Sequence, residues 1–143
     1  MKIPTIAGDS GVQIAGIPEK SQPGLFVRRV NGKVLSDEEM IEYYANLVSE
    51  ADKDCYLHYY TGIALITGEG VYTSTLLEPL LKLVSVPNTN RVHRGNPLDV
   101  ITVTNSGKYY NDLTDEERIA QDRAGEEAFT RFILEHLMIQ EDN

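Results

Sequence analysis

Apolar and polar positions alternate between two periods along this chain. Pro4-Thr5-Ile6-Ala7 is β-prone and runs into Asp9-Ser10-Gly11, which reads as a strand ending in a turn. Val12 to Ile17 alternates loosely, as a second short strand would. Two prolines, a glycine and polar residues make Pro18 to Gly24 a loop. Leu25 to Val30 is β-prone, and Asn31-Gly32 is a hairpin turn signal. The period then lengthens. Ser36-Asp37-Glu38-Glu39 is a capping box, and Met40, Ile41, Tyr44, Leu47 and Val48 follow at helical spacing. Cys55 to Ile66 predicts a long strand, Gly68-Glu69-Gly70 a turn, and Val71 to Leu77 a strand. Leu80 to Val86 is expected to fold back on Val71 to Leu77 as a hairpin, and Leu98 to Val103 predicts a further strand. Thr114-Asp115-Glu116-Glu117 is a second capping box, with Leu113 as its staple. A short helix is expected there, then a second one capped by Asp122, with Phe129, Phe132, Ile133 and Leu137 facing a sheet. These elements predict an α/β fold: a mixed twisted β-sheet flanked by helices, in a single domain over residues 1–143.

Composition narrows the function. The formal charge of −9 argues against non-specific binding to nucleic acid or to an anionic membrane. No apolar run is long enough to span a membrane or to act as a signal peptide, so the expected location is the cytoplasm. Cys55 is the only cysteine, which rules out an internal disulfide and a cysteine zinc site. Against this acidic background Arg91, His93 and Arg94 form one basic patch, and Arg28 and Arg29 are candidate anion contacts or solvated charges. His58 has no local partner for acid–base work and reads as a structural histidine. At Asp9-Ser10-Gly11, an ionised carboxylate can hold a metal or activate water, and the glycine admits close approach of a ligand. The same tripeptide is also ordinary turn chemistry.

Several segments, taken in order, resemble the inosine/xanthosine triphosphate pyrophosphatase family. Ile6-Ala7-Gly8-Asp9-Ser10-Gly11-Val12 is similar to its Asp-Ser-Gly turn after a strand, and Pro23-Gly24 to its next loop. Arg94-Gly95-Asn96-Pro97-Leu98-Asp99-Val100-Ile101 resembles its Arg-Gly loop leading to Tyr-Asp-Pro. Leu113 to Glu117 and Gln121-Asp122-Arg123 resemble the acidic helix and the Ser-His-Arg that close the family pattern. The resemblance implies Mg²⁺-dependent hydrolysis of the α–β phosphate bond of ITP, XTP or dITP, giving a monophosphate and pyrophosphate. It implies that Asp9 is catalytic and holds the metal. Ser10 and Gly11 would contact the substrate, and Asp99 and Arg123 would read the 6-oxopurine edge.

The departures define a second reading. Gly8 stands where the family has an acid, Leu98 where it has an aromatic, and Gln121-Asp122 where it has Ser-His. The family's Thr-Asn-Lys segment has no counterpart in these residues. A catalytically inactive relative, acting as a nucleotide-binding or structural subunit, fits those changes. Either way a shortened sheet is expected to leave an edge or apolar face that a second copy covers, making a homodimer.

Overall fold

The computed structural model describes residues 3–137. Strand β1 (Thr5–Ala15) is followed by a small hairpin of β2 (Arg29–Val30) and β3 (Lys33–Val34), then helix α1 (Asp37–Glu50). The chain continues through β4 (Cys55–Thr67), β5 (Gly70–Leu77) and β6 (Leu81–Leu83). A 3-10 turn (Pro97–Ile101) precedes β7 (Thr102–Val103), and helix α2 (Asp115–Leu137) ends the described part. The main sheet has the order β1-β4-β6-β7, with β5 also on β4, and its recorded pairs are antiparallel. An α/β sheet flanked by helices is thus present.

Local chemistry accounts for several element ends. Ser36 accepts the Glu39 N–H while Glu39 returns a bond to the Ser36 N–H, so both ends of the capping box close. Thr114 and Glu117 exchange the same pair of bonds at α2. Asn31 and Gly32 adopt φ of 49° and 79°, the left-handed pair that a two-residue hairpin requires.

Four sequence expectations are corrected. Asp9-Ser10-Gly11 is not a turn: β1 runs straight through it, with Asp9 opposite Gly62, Ser10 opposite Thr61 and Gly11 opposite Tyr60. The ladder to a long neighbour outweighs the turn propensity of the tripeptide. Strands β5 and β6 do not pair with each other. Both pair with β4, at Tyr60–Thr67 and at Cys55–Leu57, so they lie end to end along one edge. Pro79 breaks them apart, because it has no N–H to donate to the ladder. Leu98 to Val103 is mostly a 3-10 turn, with Pro97 at its start and Leu98, Val100 and Ile101 all buried. The Thr102 hydroxyl holds it by donating to the Leu98 carbonyl at 2.7 Å. Finally, Asp122 caps nothing, since α2 is one continuous helix.

Strand parity assigns the two faces of the sheet. Val12, Ile14, Cys55, Leu57, Leu81 and Leu83 face α1, where Met40 and Tyr44 bury against them. Further along the same face, Ile63 and Leu65 pack against Phe132, with Tyr72, Leu76, Ile133 and Leu137 around them. The two helices therefore cover two ends of one face and leave a gap between them.

Candidate active-site cavity

That gap is a cavity of about 810 Å³. Its floor is Tyr59 and Thr61 of β4 with Ser10 of β1, whose hydroxyl lies 2.8 Å from that of Thr61. The interruption after β5 brings Glu78 and Pro79 to one wall. The 3-10 turn brings Asn96 and Asp99 to another. Helix α2 supplies Arg118, Gln121, Asp122, Gly125 and Phe129, spaced at three, four, seven and eleven residues along one helical face.

Asp99 is the most buried carboxylate here, with a side chain 16% exposed. Its Oδ2 lies 3.7 Å from His93 Nδ1, and Arg118 Nη2 approaches the same ring nitrogen at 3.5 Å. Burial pushes the Asp99 carboxyl above its ordinary range, and the nearby Arg118 and His93 oppose that shift only in part. The Arg118 guanidinium sits 5.5 Å over the Tyr110 ring. Tyr110 in turn donates its hydroxyl proton to Asp122 Oδ1 at 2.9 Å. Burial, then this bond to Asp122, raises the phenol. Glu78 is raised by burial and by Asp122. Its carboxylate lies over Gly125, where an added Cβ would come 3.5 Å from Glu78 Oε1.

The residues singled out in the sequence divide between locations. Ser10 and Asp99 share the cavity, and Gly11 lines an adjoining smaller one. Asp9 is on the opposite face of the sheet, exposed, beside Gly62 and Thr75, and its carboxylate accepts the Ser10 N–H at 2.9 Å. Arg123 is mid-helix on the outer surface of α2, among Glu126, Glu127 and Arg131. The cation that faces Asp99 is Arg118. One continuous helix would have revealed this: positions 118 and 123 differ by five residues, about 140° around the axis. Among the described residues no three His, Cys, Asp or Glu side chains stand close enough to hold a metal ion. Among the described residues no second carboxylate lines the surface beside Asp9, so these residues do not assemble a Mg²⁺ site around it.

The architecture is a sheet covered on one face by two helices, with a cleft between them. No family model and no curated protein matches the chain. Solved structures do. The Ham1 protein of Staphylococcus aureus is 17% identical over 93% of this chain and 68% of its own, with a TM-score of 0.69. A HAM1 protein from Coxiella burnetii is 26% identical over 92% and 68%, with a TM-score of 0.68. A nucleoside triphosphatase/dITP/XTP pyrophosphatase from Mycobacterium abscessus is 20% identical over 90% and 66%, with a TM-score of 0.63. The chain therefore has the Ham1-like fold along nearly all of its own length and spans about two thirds of those proteins.

Proposed function

We propose that this protein is a nucleoside triphosphate pyrophosphatase acting on 6-oxopurine nucleotides (ITP, XTP or dITP). One observation carries the reading: in a Ham1-like fold, Asp99 and Arg118 stand together inside the cavity as acceptor and donor. A 6-oxopurine edge offers N1–H beside O6, the complement of that pair, whereas adenine presents the reverse order. Tyr59, Tyr110 and Phe129 add aromatic surface around it. Mg²⁺, which the resemblance implies, enters this reading bound to the triphosphate of the substrate. The test is pyrophosphate release from ITP, XTP and dITP with Mg²⁺, with ATP as comparison. Release from the oxopurine nucleotides that an Arg118→Ala variant lacks supports it, and no release above that variant overturns it.

The placement of Asp9 favours a second reading, binding without turnover. Calorimetric titration separates the two, since that reading expects ITP to bind with no pyrophosphate formed. For partners, a second copy of this chain is proposed to cover the open sheet face. Among the described residues no helix is long and apolar enough to cross a membrane, and we place the protein in the cytoplasm.

A further inference from the structure

The larger cavity is a poor host for a string of phosphates, because Glu78, Asp99, Asp122 and Glu126 line it against Arg118. A second cavity of about 270 Å³ adjoins it, and Ser10, Tyr59, Asn96 and Asp99 line both. Arg28 and Gly95 stand on the walls of the smaller one. Two basic segments far apart in sequence meet at that point. Arg28 Nη1 lies 2.8 Å from Asp37 Oδ1 and also donates to the Leu35 carbonyl at 3.1 Å. The Gly95 N–H donates to Asp37 Oδ2 at 2.9 Å. These two bonds, with the field of Arg94, hold the Asp37 carboxyl below its ordinary range. Asp37 is thus an internal anion held by a guanidinium, a backbone N–H and a second guanidinium nearby. Phosphate oxygens are bound by the same donor set. The Arg28 side chain is 37% exposed, so a ligand can reach it.

We propose that Arg28 and the Gly95 N–H form a subsite for the phosphate chain of a nucleotide whose base lies in the larger cavity. The inference rests on the nucleotide reading of that cavity. The phosphates run past Ser10 and Asn96 and replace Asp37 as the partner of Arg28. Binding of ITP and of inosine, which lacks phosphates, tests this by calorimetry on the wild type and on Arg28→Gln and Asp37→Asn. Arg28→Gln is expected to lose about tenfold in affinity for ITP while inosine changes by less than about twofold. Asp37→Asn removes the competing carboxylate and is expected to bind ITP about threefold more tightly. A merely structural role for the Arg28–Asp37 pair predicts the opposite sign for that variant and equal losses for both ligands. Equal losses, no loss with ITP, or weaker ITP binding by Asp37→Asn overturns the subsite and leaves the cavity reading standing. A wild type that binds neither ligand overturns the cavity reading and the subsite with it.

Discussion

Asp99 is a carboxylate whose burial outweighs the help of Arg118 and His93 beside it. The sign of its effect on stability follows from that. The folded protein holds the Asp99 proton to higher pH than the unfolded chain, whose carboxyl titrates near 3.8. Between 3.8 and the raised value the folded state binds more protons, so stability falls as pH rises through that window. Above it the full cost of the buried charge is present. Asp99→Asn is therefore expected to raise the melting temperature by a few degrees near pH 8, with the gain shrinking toward about pH 4. Thermal melts of both proteins at the two pH values check this, and an equal gain at both would rule out the buried charge as its source. At the same scale, Arg118→Ala is expected to weaken ITP binding about tenfold or more, while Arg123→Ala, on the outer face of α2, changes it by less than about twofold. Asp9→Asn is expected to leave ITP binding within about twofold of the wild type, because its carboxylate is on the far side of the sheet.

At the scale of elements, what the sequence made legible was set by local bonds. The capping boxes at Ser36 and Thr114 and the Asn31-Gly32 turn satisfy their own backbone within a few residues, so reading them needs no partner. Asp9-Ser10-Gly11 is extended because of Tyr60, Thr61 and Gly62, fifty residues away, and nothing near it in sequence says so. Asp122 has the chemistry of a helix cap, but the helix passes through it and turns it toward Tyr110. Splitting α2 at that point hid Arg118 and brought Arg123 forward. Asp99 stands at its place in the sequence pattern, and it reaches the cavity from a 3-10 turn and not from a strand. The β1–β4 pairing also makes a testable demand on its glycines. A Cβ at Gly11 would collide with the Tyr60 ring and come within 2.9 Å of the Gly24 carbonyl oxygen. Gly11→Ala is expected to cost about 1–3 kcal/mol in denaturant unfolding. Gly8→Ala meets the Gly62 carbonyl oxygen at 3.4 Å and Thr61 Cγ2 at 3.8 Å, ordinary contacts, and serves as the control, expected within about 0.5 kcal/mol of the wild type.

For the whole molecule, the decisive asymmetry is between the two faces of the sheet. Both hydrophobic clusters and both helices lie on one face. The other presents Ala7, Asp9, Gly62, Ala64, Thr73 and Thr75, a shallow surface of small side chains. Ile66 and Val71 stand directly opposite each other on it, 43% and 63% exposed. The outer edge of β1 adds backbone groups that, over Thr5–Gly11, pair with no recorded strand among the described residues. An exposed apolar pair beside a long edge that carries neither lysine nor proline is unguarded against association. A homodimer that buries this face is the expected state at micromolar concentration, measured by light scattering. Val71→Lys places a charge at the exposed apolar pair of this face without touching either core cluster. It is expected to shift the protein to monomer while leaving the melting temperature of the dilute protein within a few degrees. A wild type that is already monomeric at that concentration would show that this face is solvated in the free chain, and would separate the fate of the face from that of the cavity.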